Sequence, residues 1–244
     1  MGKIRLDKFL VENKNIKSRY RAVLLIKNEM VFVNGKLIKK PSAQIDKNDT
    51  VEVIGKDIKW VSRGGLKLEK ALKFWKINPR GWTCLDIGAS TGGFTDVLIA
   101  KKAKKVYAID VGHDQLDEKL KNNPRVINLE KTNARELDRD KIKELVDFIS
   151  VDVSYISLSL VLPEIIKFLK PTGKIIVLIK PQFELSPDIV KKGIVRKKEH
   201  QELAVKKIRK LVKELNLVEE GLIESPILGK KGNKEFLIYL KQKN

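Results

Sequence analysis

Cysteine occurs once in the 244 residues, at Cys84, and histidine twice, at His113 and His200. One thiol excludes an internal disulfide framework. With only two imidazoles beside it, no spacing offers a ligand set for zinc, and no metal is expected. Long apolar runs are also missing. The densest stretch, Ile156 to Leu169, is broken by Ser, Pro, Glu and Lys, and nothing approaches the roughly 20 residues of a spanning helix. The opening MGKIRLDKFL has no apolar stretch ahead of a cleavage site, so no secretory leader is read there and a reducing cytoplasm is the expected compartment. Acid is scarce: 31 Asp and Glu stand against 51 Lys and Arg, a net charge of +20. That surplus is out of place in an enzyme of neutral metabolites. It calls for a polyanionic partner, nucleic acid first and an anionic membrane second. What remains is a soluble globular composition, 42% hydrophobic and 34% charged, long enough for one large domain or a medium one with a small one.

Residues 1–59 read as the small one. Leu6, Phe9 and Leu10 recur at helical spacing, and Ser18 is placed to cap a second helix with Ala22, Leu25 and Ile26 on one face. Asn34-Gly35 between the runs Val31–Val33 and Lys36-Leu37 predicts a hairpin, because both central positions favour positive φ. Val51 to Ile54 predicts a further strand. Through residue 60 there are 14 basic and 7 acidic residues, more positive charge than so small a piece needs for solubility. The run Arg5-Leu6-Asp7-Lys8-Phe9-Leu10, then Ser18-Arg19-Tyr20-Arg21-Ala22, Val31–Gly35 and Lys40-Pro41 resembles the S-four-like RNA-binding domain. The resemblance implies a basic surface that docks on structured RNA by shape and phosphate, with Arg5, Lys8, Arg19, Arg21, Lys36, Lys40 and Arg63 as contacts. Residues 60–65, Trp60 to Gly65, read as a linker with Gly64-Gly65 as a hinge or tight turn.

From residue 66 to 244 strands and helices alternate, which predicts a parallel sheet covered on both faces. Strands are expected at Thr83–Ile87, Lys105–Asp110, Arg125–Leu129, Phe148–Val153 and Lys174–Lys180. A helix is expected from Lys198 to Leu215, and a closing antiparallel pair at Leu217–Glu224 and Glu235–Leu240. The sharpest motif is Leu85-Asp86-Ile87-Gly88-Ala89-Ser90-Thr91-Gly92-Gly93-Phe94-Thr95. An apolar strand ends in an acid, turns through glycine and enters a helix. The glycine spacing matches neither a dinucleotide fingerprint nor a Walker loop. An acid at this place repels phosphate and suits an amine. Asp110, with Val111 after it, ends the next strand, where a carboxylate takes ribose hydroxyls. Asn133 follows the third strand, where it would meet an adenine edge. An amine-bearing nucleoside without phosphate satisfies all three, and S-adenosylmethionine is such a molecule.

Neither a nucleophilic cysteine nor an Asn/Asp-Pro-Pro-aromatic signature is present, which argues against transfer to a base carbon or an exocyclic amine. Lys67, Asp152, Lys180 and Glu235 instead fall where they could converge on the cofactor, and this set resembles the tetrad of ribose 2′-O-methyltransferases of the FtsJ/RrmJ type. Further segments carry a wider resemblance: Ser62-Arg63-Gly64-Gly65 with Lys67-Leu68, Asp110–His113 with Gln115-Leu116, Asp152-Val153-Ser154-Tyr155-Ile156-Ser157 and Lys180-Pro181-Gln182-Phe183-Glu184. Essentially the whole chain resembles the TlyA haemolysin/ribosomal RNA methyltransferase family. That implies an α/β, Rossmann-like class I methyltransferase sheet with a small N-terminal α+β RNA-binding domain. It also implies 2′-O-methylation of cytidine in ribosomal RNA, with the ribosomal subunit as partner. Asp152 then serves both the catalytic set and the cofactor set, the latter comprising Asp86, Gly88 to Thr95, Asp110, Val111, Asn133 and Asp152. Lys191, Lys192 and Arg196 form a basic cluster expected on RNA phosphate. A membrane-active protein, as the haemolysin name implies, and an inert RNA-binding assembly factor are the competing readings.

Overall fold

In the computed structural model, which describes residues 2–16, 18–53, 59–229 and 231–243, the chain divides between Arg63 and Gly64 into two units. The first runs β1 (Lys3–Arg5), α1 (Leu6–Asn13), α2 (Arg19–Lys27), β2 (Val31–Val33), β3 (Lys36–Leu37), β4 (Gln44–Asp46) and β5 (Val51–Val53). The apolar stripes meet: Leu6, Phe9 and Leu10 of α1 and Ala22, Leu25 and Ile26 of α2 are all buried, and the two helices pack together. Ser18 caps α2, its hydroxyl accepting from the Arg21 N–H at 3.2 Å. Asn34 and Gly35 both take positive φ, +50° and +73°, and turn β2 into β3. β2 also pairs with β5, and β1 with β4, all antiparallel. Ile54, expected in the last of these strands, lies outside the described residues.

The second unit runs α3 (Gly65–Phe74), β6 (Thr83–Ile87), α4 (Gly93–Ala100), β7 (Lys105–Ile109), α5 (Glu118–Lys121), β8 (Val126–Leu129), β9 (Val146–Val151), α6 (Leu162–Ile165), β10 (Leu169–Ile179), α7 (Pro181–Glu184), α8 (Lys198–Glu214), β11 (Leu217–Glu224) and β12 (Phe236–Gln242). The strands form one seven-stranded sheet in the order β11-β12-β10-β9-β6-β7-β8. The five from β6 to β10 are parallel, and β12 enters antiparallel beside β10 with β11 on the edge. β6 is buried at all five positions, as a strand covered on both faces must be. One face is lined by Leu85, Ile87, Ile149, Val151, Ile175 and Val177, against Leu162 and Ile165 of α6 and Val205, Ile208 and Val212 of α8. Each such side chain contributes roughly 1.5–3 kcal/mol on leaving water. The α8 stripe follows from its 3.6-residue spacing, and its basic residues stay outside, where Arg209 pairs with Glu219 at 2.7 Å.

Several expected bounds shift. β9 runs Val146–Val151 where Phe148–Val153 was expected, and β12 Phe236–Gln242 where Glu235–Leu240 was, so Asp152 and Glu235 stand just outside their strands. β10 begins at Leu169, not Lys174, and its pairing with β9 slips register between Leu169 and Lys174, the stretch that holds Pro171 and Gly173. Gly65, read with Gly64 as a hinge or turn, is buried as the first residue of α3. No helix among the described residues is long and apolar enough to cross a membrane.

Candidate active site

Chain direction explains why the site forms at one edge of the sheet. β6 and β9 are neighbours, but the chain runs from β6 outward through β7 and β8, and from β9 the other way through β10. A crevice opens at that reversal, outside the carboxyl ends of the strands. Asp110, Asp152 and Lys180 each sit one residue past the end of β7, β9 and β10. Because β12 is antiparallel, its beginning lies at the same edge: Phe236 registers with Ile179, and Glu235 is the residue before it. Lys67 arrives from the first turn of α3.

These four side chains meet. Lys67 Nζ donates to Glu235 Oε2 at 2.7 Å and lies 3.7 Å from Asp152 Oδ2. Lys180 Nζ lies 2.6 Å from Asp152 Oδ1 and donates to Ser154 Oγ at 2.7 Å. Lys67, Lys180 and Glu235 are buried, and Asp152, with its side chain 19% exposed, is the most open of the four. Two cations and two anions balance, as a buried cluster of charges requires. Burial by itself pushes the Asp152 carboxyl up, but Lys67 and Lys180 outweigh it and the net direction is down. The buried Oδ1 has Lys180 Nζ as its partner, in an ion pair at 2.6 Å.

The loop after β6 is shaped by three residues with positive φ: Gly88 at +80°, Ser90 at +49° and Gly92 at +92°. The sequence reading gave these glycines to a ligand. The structure gives two of them a nearer reason. A Cβ on Gly88 would stand 2.6 Å from the Asp152 carbonyl oxygen, and one on Gly92 would meet Leu120 Cδ1 at 2.3 Å. Glycine here lets β6 and β9 end close together and leaves room above Gly92 for the Leu116 and Leu120 side chains. Ser90 and Thr91 are exposed at the crest of the turn, while Ala89, Gly93, Phe94 and Thr95 are buried. Asp110 ties the crest down: its Oδ2 accepts from the Ser90 N–H and its Oδ1 from the Gly112 N–H, both at 2.8 Å. Val111 beside it is 72% exposed, an apolar surface open at the crevice edge. Glu130 pins the next stretch by accepting from the N–H groups of Asp114, Gln115 and Leu116. Burial pushes that carboxyl up, yet the three N–H groups and Lys121 hold it down at about 2. The Asp110 carboxylate and the exposed Ser90 and Thr91 hydroxyls suit the hydroxyls of a nucleoside and do not suit a phosphate.

The FtsJ-like methyltransferase family model matches residues 60–242. The chain belongs to the FtsJ-like methyltransferase family. An S4 domain model matches residues 4–51. Hemolysin A of Brachyspira hyodysenteriae is 40% identical over 238 residues, covering 97% of this chain and 99% of that protein. The 16S/23S rRNA (cytidine-2'-O)-methyltransferase TlyA of Mycobacterium tuberculosis is 38% identical over 239 residues, covering 97% and 89%. A solved structure from Streptococcus thermophilus, named as a hemolysin, superposes with a TM-score of 0.79 at 38% identity, covering all of this chain and 90% of that one. The N-methyltransferase NodS of Bradyrhizobium japonicum, with S-adenosylhomocysteine, shares the fold alone: TM-score 0.52 at 15% identity, over 73% of this chain and 88% of that one.

Within this FtsJ-like methyltransferase two side chains depart from the sequence reading. Asp86, expected to face an amine, has no exposed surface; Thr95 Oγ1 donates to its Oδ2 at 2.6 Å and Ser150 Oγ to its Oδ1 at 2.8 Å. Burial pushes its carboxyl up, those two hydroxyls pull it back, and it ends at about 6. Asn133, expected at an adenine edge, caps the short turn Ala134–Glu136: its Oδ1 accepts from the Arg135 N–H and its Nδ2 donates to Glu136. In the first unit Arg5 and Arg19 are committed in part to the buried carboxylate of Asp7, at 2.9–3.0 Å. Their side chains remain 42% and 63% exposed. Arg5 leads in holding the Asp7 carboxyl down at about 2, ahead of burial, which opposes it, and Arg19. Lys8, Lys36 and Lys40 are exposed, as are Lys191, Lys192 and Arg196.

Two residues of the Asp152–Ser157 segment take places at the site that the sequence assigns to neither of them. Ser154 is a partner of Lys180. Tyr155 is 90% exposed at φ +65°, with its ring 5.0 Å from that of Phe183. A bulky side chain in the left-handed region is strained, and here it stands one residue from Ser154 with its face in water. Its position after Asp152-Val153-Ser154 in the sequence was the available signal.

Proposed function

We propose that this protein transfers a methyl group from S-adenosylmethionine to the 2′-hydroxyl of a cytidine in ribosomal RNA, working in the cytoplasm on a ribosomal subunit. The observation that carries the reading is the buried Lys67–Asp152–Lys180–Glu235 set, two amines and two carboxylates in contact at the carboxyl edge of the sheet. The cofactor, when bound, supplies a methyl group on a positive sulfonium. Asp110 would hold its ribose hydroxyls by the lone pairs not used on Ser90 and Gly112, Val111 would pack on its adenine, and residues 88–93 would face its amino-acid end.

A ribose hydroxyl attacks poorly until its proton is shared. Ser154 Oγ, which accepts from Lys180 Nζ, marks a place where a hydroxyl reaches that nitrogen, and the substrate 2′-hydroxyl is assigned the same reach with the bond reversed, its O–H donating to Nζ. Lys180 Nζ in its free-amine form then takes the proton. Asp152 holds Lys180 in place, and Glu235 holds Lys67 beside Asp152. Alignment supplies much of the rate, since methyl transfer needs no covalent intermediate. The exposed Tyr155 ring, backed by Phe183, offers a face on which a flipped-out base can stack. In the division of labour we assign, residues 1–59 dock RNA, 60–65 link, and 66–244 carry out transfer. Lys8, Arg21, Lys36, Lys40, Arg63 and the outer edges of Arg5 and Arg19 meet phosphate in the docking unit, and Lys191, Lys192 and Arg196 do so in the transferase. Lys180→Met tests the reading. Single-turnover transfer should fall by about 10³-fold, within the usual span for a lost general base, while cofactor binding by calorimetry stays within a few-fold. Transfer at the wild-type rate would overturn it.

A further inference from the structure

Two segments that follow adjacent strands carry the reacting side chains: 152–158 after β9 and 180–184 after β10. They are joined twice. At one end Lys180 meets Asp152 and Ser154. At the other Glu184, its side chain 2% exposed, accepts from Ser157 Oγ on Oε2 at 2.6 Å and from the Leu158 N–H on Oε1 at 2.9 Å. The Tyr155 and Phe183 rings lie between the two joins. Lys207 of α8 closes the second: its Nζ is 3.4 Å from Glu184 Oε2 and donates to the Glu184 carbonyl at 2.7 Å.

Lys180 and Glu184 are separated by one helical turn. Lys180 is the N-cap of α7 with Pro181 as its first residue, the Phe183 N–H bonds to the Lys180 carbonyl at 2.9 Å, and the Leu185 N–H bonds to the Pro181 carbonyl at 3.2 Å. Proline's fixed φ stiffens that turn, so a displacement of Glu184 is handed on to Lys180. A buried carboxylate is costly where an apolar side chain would pack. What the carboxylate adds is direction: two acceptor oxygens aimed at one hydroxyl and one N–H of the opposite segment.

We propose that Glu184 is a positioning residue for methyl transfer, setting Lys180 Nζ against Ser154 and Asp152 and the Tyr155 ring against Phe183. This rests on the reading of Lys180 as proton acceptor. The test uses the full-length protein, saturating S-adenosylmethionine and ribosomal RNA, with single-turnover rates taken across pH, cofactor affinity by calorimetry and the folded fraction by circular dichroism. Glu184→Ala should slow transfer about 10–100-fold, the scale of a ~1 Å misplacement, and alter the pH profile, with cofactor affinity unchanged. Glu184→Gln keeps an acceptor for Leu158, and the Ser157 hydroxyl can reverse its bond, so it should recover most of the rate. Ser157→Ala should fall between the two. Wild-type transfer by Glu184→Ala, a loss that merely follows the folded fraction, or a Gln variant as slow as the Ala variant would overturn the proposal. If Glu184→Ala does not fold, Ser157→Ala decides, and its transfer at the wild-type rate overturns it. Lys180→Met in the same series separates the two claims: if it is inactive while Glu184→Ala is not, only the positioning role fails, and if it is active, the reading of the site fails.

Discussion

Replacing Asp86 by Asn should make the stability of the protein less sensitive to pH. The carboxyl is fully buried, and burial raises its pKa from 3.8 to about 6 against the pull of Thr95 and Ser150. A folded-state pKa above the unfolded one means that the folded protein holds this proton more tightly. Stability from this group is therefore full below about pH 4, declines as pH rises from 4 to 6, and stays reduced above. The shift of about two units corresponds to roughly 3 kcal/mol. Asn has no proton to lose, so the Asp86→Asn variant escapes that decline. One hydroxyl must turn to accept from the new amide, at a cost of about 1 kcal/mol or less that does not depend on pH. Urea denaturation at pH 4.5, 6 and 8 measures the difference. The variant should gain about 2 kcal/mol on the wild type between the ends of that range, most of it below pH 6. Parallel stability curves would refute the reasoning. Cofactor affinity is the second arm. A carboxylate already held by Thr95 and Ser150 has no surface for a ligand, so binding should stay within a few-fold, and a 100-fold loss would restore the amine contact that the sequence suggested.

Gly88→Ala should destabilise the protein by about 2–4 kcal/mol, since a left-handed backbone costs 1–2 and the new Cβ meets main chain that cannot rotate away; equal melting temperatures would contradict this. Tyr155→Ala should weaken RNA binding by about 1–3 kcal/mol, the span measured for one stacked base, with cofactor affinity untouched, and Tyr155→Phe should restore it. Changing Lys191, Lys192 and Arg196 together to Gln should lower the salt dependence of RNA binding by about two to three counterions, and an unchanged slope would remove this loop from the interface.

The strands were legible where their own residues decided the matter. β6, all apolar but for Thr83 and Asp86, and β11 have the bounds that their patterns predict, and the antiparallel close of the sheet followed from two successive strands. The convergence of Asp152, Lys180 and Glu235 was legible because strand ends are topological places, whatever the packing between them, whereas Lys67, on the first turn of α3, was legible only through the resemblance of the set. What a side chain faces was not. Asp86 turns inward because Thr95, nine residues on, and Ser150, on the neighbouring strand, reach it first. Asn133 satisfies the turn that it begins. Arg5 and Arg19 close on Asp7 because a buried carboxylate needs partners before a surface needs charge. Glu184 meets Ser157 across 27 positions of sequence, a pairing that exists only once β9 and β10 lie side by side.

The most direct test of the central claim is where the methyl group lands. Ribosomal RNA incubated with the purified protein and S-adenosylmethionine carrying a labelled methyl group, then digested to nucleosides and separated by mass, should yield label in 2′-O-methylcytidine, and none when Lys180→Met replaces the wild type. Label on a nucleobase, or label on the ribose that persists in that variant, would contradict the account.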